Sequence, residues 1–408
     1  MRILFVLNRF PVLSQTFVLD QITGMIDRGH HVEVFALEGA KRARTHDDIQ
    51  RYELLERTMY RTRTPSSPWA RLTGAATMGA DLVRRAPQKL PRILASLDYA
   101  RPTHSLSVFH AAVRDLQDRN YDIVHCHFGP MAIRGVQFRE LGLIRSPIVA
   151  TFHGYDVHRY PRLHGDDVYR SIVDEVDLIT ANTEFTAGCV AKLGFPTRRI
   201  RVLPVGLAVD SFDYRPRRPE AGEPIRILSV ARLVEKKGLE FAIRAVSRLK
   251  DTFNFRYTIV GEGPLREPLG ALIRSLGLEN SVVLVGEKTR DEVRTFYQKN
   301  HLFVLPSVTA ADGDMEGQGL VLQEAQACGL PVVSTRHNGI PEGVLDEESG
   351  LLVPERDIEA LTAALRRLFE QPESWSDMGR AGRDFVESKY QIDVLNDRLV
   401  EIYRELVT

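Results

Sequence analysis

Cysteine is scarce in this 408-residue chain: Cys126, Cys189 and Cys328 stand far apart in apolar surroundings. That spacing excludes a disulfide framework and a thiolate zinc site, and it points to a reducing compartment with buried thiols. Long apolar runs are missing too. The opening strand from Met1 to Leu7 is too short for a signal-peptide core, and nothing downstream approaches a membrane span. A cytoplasmic protein is expected, peripheral to the inner face of a membrane at most. Net charge is also absent, since 54 Lys and Arg balance 54 Asp and Glu, which removes any overall pull toward nucleic acid. The balance is uneven locally: from Arg57 to Arg101 a run of cations faces only Asp81 and Asp98. That run is either a solvated helical face or a patch for an anionic membrane surface or phosphorylated acceptor.

The chain is too long for one ordinary core, so two domains of similar size are expected. Short apolar strands alternate with helical patterns throughout, which predicts α/β architecture with mostly parallel sheets. In the first half the strands read Ile3–Leu7, His31–Ala36, Ile123–His127, Ile148–Phe152, Leu178–Ala181 and Ile200–Val202. A helical insert, about 45–118, interrupts them and is cut by prolines. The polar, proline-rich stretch from Val209 to Pro224 reads as a linker. The rhythm then restarts with strands Ile225–Ala231, Arg256–Val260, Val282–Val285, Leu302–Leu305, Pro331–Ser334 and Gly350–Val353. Each half reads as an open, doubly wound sheet, and ligands should bind in the cleft facing the strands' carboxyl ends.

The most informative stretch runs from Asp312 to Ser334. Glu316 and Glu324 are separated by seven residues, Gly317, Gln318, Gly319 and Leu320 among them, and an apolar helical run follows that stops at Gly329. On one continuous helix the two carboxylates would be about 12 Å apart along the axis. Glu316 is better placed in the preceding loop, beside free N–H groups of a helix start that attract anions. Carboxylates beside an anion site suit a ligand carrying both hydroxyls and phosphates, such as a nucleotide sugar. Arg232 and Lys237 follow one strand at a turn into a helix, where cations would meet a phosphate. Gly261 and Gly263 follow the next strand, but Arg266 occupies the third glycine position of a dinucleotide fingerprint. Gly286, Glu287 and Lys288 end a third.

The order Arg232-x4-Lys237-Gly238, Gly261-x-Gly263-Pro264, Val285-Gly286 and Glu316-x7-Glu324 resembles the C-terminal domain of retaining glycosyltransferases of family 4, which have the GT-B fold. Phe10-Pro-Val-Leu-Ser-Gln-Thr-Phe17, His125-Cys-His-Phe-Gly129 and Thr151-Phe-His-Gly-Tyr-Asp-Val157 are similar to members that assemble bacterial exopolysaccharide. The resemblance covers the chain except the insert. It implies two Rossmann-like domains, an acceptor side at 1–208 and a nucleotide-sugar side at 209–388, with a C-terminal helix at 389–408 crossing back.

The resemblance also implies roles. Arg232 and Lys237 would stabilise the departing nucleoside diphosphate without a metal. Glu316 would face the donor sugar and Glu324 the ribose hydroxyls, with Gly261, Gly263, Gly286, Glu287, Lys288, Gly317, Gln318, Gly319 and Leu320 completing the donor site. Asp312-Gly-Asp314 looks like the Asp-x-Asp of metal-dependent transferases, yet reads as a polar loop, so neither metal nor cofactor is expected. His153 would contact the donor sugar or its phosphate, or else be a satisfied structural histidine. Asp156 would orient His153, bind an acceptor hydroxyl or cap a helix. Ser14, Gln15 and Thr16 would meet the acceptor, although Ser14 or Thr16 could instead cap a helix from Phe17. Gln15 stands where the subgroup has Glu, which bears on acceptor choice. His125 and His127 are expected on opposite faces of their strand, leaving His127 to line the cleft.

The donor is expected to be a UDP- or GDP-sugar and the acceptor a saccharide or lipid-linked oligosaccharide; no nucleic acid is involved. Retention would proceed by a front-face, ion-pair-like transfer, because a glycosidase-type carboxylate pair is not available when one glutamate serves ribose. A nucleotide-sugar epimerase of similar fold and a non-catalytic nucleotide-sugar-binding partner are the alternatives. A pyridoxal phosphorylase would need a dedicated lysine and a longer chain, and a dehydrogenase a complete dinucleotide fingerprint.

Overall fold

Strands buried on both faces read as continuous apolar runs, and the apolar runs found in the sequence become the strands of two parallel sheets in a computed structural model. It describes residues 1–12, 15–39, 46–60, 120–140, 142–220 and 222–407, together with Trp69, Thr73, Ala80 and Arg84. The first sheet contains β1 (Arg2–Phe10), β2 (His31–Gly39), β3 (Thr58–Tyr60), β4 (Ile123–His127), β5 (Ile148–Phe152), β6 (Leu178–Ala181) and β7 (Ile200–Val202). Their spatial order is β3-β2-β1-β4-β5-β6-β7. The second contains β8 (Ile225–Val230), β9 (Phe255–Val260), β10 (Val282–Gly286), β11 (Leu302–Leu305), β12 (Val332–Thr335) and β13 (Gly350–Val353), ordered β10-β9-β8-β11-β12-β13.

β3 departs from the expected helical insert. The chain there forms a short helix, Asp47–Arg51, and then an edge strand whose Val34–Thr58 and Ala36–Tyr60 pairs extend the sheet. A three-residue edge strand is too short for hydrophobic periodicity to reveal. The rest of that region, and most of the basic run, lies outside the described residues.

Strand order reverses between β1 and β4 and again between β8 and β11. These are the switch points where loops at the carboxyl ends part and leave a crevice. The final helix, Ile392–Val407, packs on the first sheet rather than the second. Arg28 pairs with Asp397 at 2.6 Å, and Tyr403 is fully buried against His125. The chain therefore crosses between the sheets twice, and the crossings are bonded to each other. The Leu207 N–H donates to the Tyr390 carbonyl at 2.9 Å, and the Ile392 N–H to the Leu207 carbonyl at 3.0 Å. Among the described residues no helix is long and apolar enough to cross a membrane.

Candidate active site

The loops after β8 and β11, on either side of the second switch point, build the site's charged centre. After β8 the chain passes the exposed Arg232 and a short turn, Glu235–Lys237, into the helix Leu239–Ser247. After β11 it runs to Gly319, whose positive φ of 73° starts the helix Leu320–Ala327. Glu316 accordingly sits in the loop, as the axial-rise argument requires. No side chain caps this helix and no acidic residue occupies its first turn. Its leading N–H groups thus form a bare, positively polarised end. Lys237 Nζ makes a close ion pair with Glu316 Oε2. Lys236 donates to Asp314 Oδ1 at 3.1 Å and to the Met315 carbonyl at 3.0 Å. Burial alone would raise the Glu316 carboxyl, but Lys237 and Lys236 outweigh it and hold it down at about 2. Asp312, the other carboxylate of the Asp-x-Asp lookalike, meets Arg159 of the first domain at 3.1 Å. Both of those aspartates are therefore engaged by cations.

The other residues expected at the donor side divide. Gly261 closes on the β10 end by donating its N–H to the Gly286 carbonyl at 2.9 Å. With φ of 138° it lies 1.8 Å, measured from an added Cβ, from the Ala231 carbonyl oxygen, so only glycine lets the loops after β8 and β9 meet. Gly263 packs in the same way on Leu233, while Arg266 pairs with Glu262 at 2.7 Å. Glu287 is exposed, and Lys288 meets Glu292 at 3.4 Å beside the capped start of the helix Arg290–Lys299. Glu324 accepts a hydrogen bond from Tyr297 at 2.7 Å. Burial raises its carboxyl despite that bond and nearby Arg290. Leu320 opens the helix and packs on the second domain's core. Gln318 turns away from the crevice. Its carboxamide accepts from the Val205 N–H at 2.7 Å and donates to the Val205 carbonyl at 2.8 Å, tying the loop to the chain leading into the second domain.

The opposite wall comes from the first domain. His153 follows β5, and a Cβ on Gly317 would lie 2.6 Å from the His153 carbonyl oxygen. The two loops touch across the cleft, and glycine at 317 permits it. His125 and His127 do not point to opposite faces: residues two apart on a strand share a face, and their rings stack at 4.6 Å. His127 is fully buried, with Nδ1 3.2 Å from His153 Nε2, so it lies beneath the cleft wall rather than on it. Burial holds His125 and His153 near 3 and His127 well below its ordinary value, so all three imidazoles are neutral. Asp156 is fully buried and accepts from the N–H groups of Gly129, His153 and Gly154, each at 3.0 Å. It pins the His153 turn and reaches no acceptor space. Gln15 lies at the start of the helix Thr16–Asp27, beside a small apolar recess with Phe10, Val12 and Leu19. Thr16 is inside that helix and caps nothing, and Ser14 lies outside the described residues.

Residues 14–211 match the family described as Glycosyltransferase Family 4, and residues 210–385 match Glycosyl transferases group 1. The chain is 36% identical over 409 residues to the putative colanic acid biosynthesis glycosyltransferase WcaL of Escherichia coli K12, with both chains fully covered. The chain belongs to glycosyltransferase family 4. This glycosyltransferase is also 35% identical over 417 residues to the amylovoran biosynthesis glycosyltransferase AmsK of Erwinia amylovora, again at full coverage of both. Its two-sheet architecture superposes on Anabaena Alr3699/HepE in complex with UDP-glucose with a TM-score of 0.71, at 16% identity and full coverage of both chains. The GT-B fold follows from that likeness.

Several residues of the glycosyltransferase site escaped the sequence reading. Lys236 was hidden beside Lys237. His337 and Asn338 stand just past the carboxyl end of β12, where the switch-point rule alone could have marked them. Glu342 reaches across the cleft and accepts from the Glu184 and Phe185 N–H groups at 2.8 and 2.9 Å. It thereby covers the start of a first-domain helix, Glu184–Lys192. No local pattern announces a carboxylate that serves a helix 158 residues away.

Proposed function

We propose that this glycosyltransferase moves a hexosyl group from a UDP- or GDP-sugar to a saccharide or lipid-linked oligosaccharide acceptor in exopolysaccharide assembly, with retention and without a metal. One observation carries the reading: the uncapped start of the helix Leu320–Ala327 opens beside Glu316 and its partner Lys237. Fixed N–H dipoles and the Lys237 cation suit the charge that develops on a departing diphosphate, and we assign Arg232 to the same charge. Glu316 faces the sugar. Tyr297 takes one oxygen of Glu324, and the other serves the ribose diol. The bond from the anomeric carbon to the phosphate oxygen breaks as the acceptor oxygen adds on the same face, and the acceptor proton passes to the leaving phosphate. Relatives named for colanic acid and amylovoran biosynthesis support the exopolysaccharide setting, and HepE's bound UDP-glucose supports the donor class. The protein acts in the cytoplasm, peripheral to the inner face of a membrane at most.

A panel of UDP- and GDP-sugars, followed by nucleotide release with and without chelator, tests this reading. Release from at least one donor, unchanged by EDTA, is expected. Chelator-blocked release would overturn the metal-free step, and no binding of any donor would overturn the function. Glu324→Gln is expected to weaken donor binding about tenfold, the loss of one charge-assisted hydrogen bond. Glu316→Ala should lower turnover about 10²-fold, with little change in affinity. Wild-type kinetics in both variants would remove the site assignment.

A further inference from the structure

The loop after β12 grips the loop that carries Glu316, and the hydrogen bonds define which atom holds each proton. The Glu316 backbone N–H can only donate, and it does so to His337 Nε2 at 3.1 Å. His337 Nε2 is therefore the bare, accepting nitrogen. The proton of the neutral ring then resides on Nδ1, which lies 2.6 Å from Glu355 Oε1. The second Glu355 oxygen accepts from the Thr309 N–H at 2.8 Å. Thr309 lies near the start of the same loop, so one carboxylate fixes that end directly and Glu316 through the imidazole. Asn338 completes the hold: its amide donates to the Glu316 carbonyl at 3.0 Å and approaches His337 Nε2 at 3.0 Å. Both peptide groups of Glu316 are thereby anchored to two consecutive residues. His337 is fully buried, which shields this arrangement from water.

We infer that Glu355, His337 and Asn338 are positioning residues that set the aim of the Glu316 carboxylate at the donor sugar. The inference rests on the reading of Glu316 given above. Lys237 supplies the charge opposite Glu316 but grips only the end of a flexible side chain. The backbone clamp fixes where that side chain begins. Asp156 does the corresponding work for His153 on the facing wall, also through backbone N–H groups. The two sides of the cleft thus each hold a reacting-site side chain by its main chain, which limits the misplacement that costs rate.

The test uses the full-length protein and whichever of UDP-glucose and GDP-mannose the wild type hydrolyses faster. His337→Phe fills the space but neither accepts nor donates; His337→Gln can do both. Turnover of His337→Phe is expected to fall about 30-fold while affinity for UDP or GDP stays within about threefold, the pattern of a misaimed group rather than a lost site. His337→Gln should recover most of the turnover. Nitrogen-15 spectra of histidine-labelled protein should show the buried His337 ring protonated on Nδ1. An Nε2-protonated ring would overturn the clamp. So would equal losses of affinity and turnover in His337→Phe with no rescue by Gln, which would signal a merely structural residue. Normal turnover in His337→Phe alongside a crippled Glu316→Ala would overturn the positioning role alone. Normal turnover in both would overturn the reading of Glu316 itself.

Discussion

Lys237→Met should reduce nucleotide release about 10²–10³-fold, the loss that follows removal of one preorganised group facing a developing anion. It should also destabilise the protein by about 3 kcal/mol, because breaking a buried ion pair strands the remaining charge. Only 12% of the Lys237 side chain and 14% of the Glu316 side chain are accessible, so water offers little relief. With Lys237 gone, the carboxyl that is now held at about 2 loses its main partner and rises, leaving Lys236 as the weaker one. Removing the second charge separates the two effects. In Lys237→Met/Glu316→Gln the stability should return toward wild type while turnover does not, a coupling that a double-mutant cycle reads directly. Thermal midpoints and nucleotide release on the four proteins make the check. A double variant as unstable as Lys237→Met would show that the pair is not what holds the loop. Wild-type turnover in Lys237→Met would remove the lysine from the chemistry.

Acid should destabilise this protein through its buried imidazoles. His125 and His153 are held near 3 and His127 well below its ordinary value of 6.5, all chiefly by burial. Between about pH 3 and 6.5 the unfolded chain binds a proton at each of these positions and the folded chain does not. Stability is therefore complete above 6.5 and declines as the pH falls through that window, by about 1.4 kcal/mol per pH unit for each imidazole. At pH 5.5 the three together cost about 4 kcal/mol relative to neutral pH. Thermal unfolding at pH 7.5 and 5.5 should show a drop of several degrees. His127→Phe, which keeps the stacked ring but cannot take a proton, should recover about one third of it, since each imidazole contributes comparably. A flat profile in the wild type would mean that the three rings are solvated and the stack is not formed.

Most strands were legible because parallel strands buried on both faces leave unbroken apolar runs; β4 through β7 emerge with the expected bounds. The Glu316 loop was legible for a different reason. Helical rise is fixed, so two carboxylates eight positions apart could not both face one ligand from a single helix. The histidines show the opposite outcome: the side-chain period of a strand places His125 and His127 on one face, and the sequence reading set them on two. Gln318 sat inside the most informative motif, yet its amide serves Val205, because spacing along the chain says nothing about which backbone will arrive beside it. The same holds for Glu342, Glu355 and Tyr297, whose partners come from other elements. Contacts made by tertiary approach leave no periodic trace.

The bond between Gln318 and Val205 has a mechanical consequence. Val205 lies two residues from Leu207, where the two chain crossings are laced together. Any opening of the cleft must bend there, and displacement grows with distance from such a pivot. Gln318 fastens the Glu316 loop near that axis, so the loop turns with the pivot instead of swinging at the end of a lever. An opening about that axis would carry the first-domain wall away while the Glu316 loop keeps its shape.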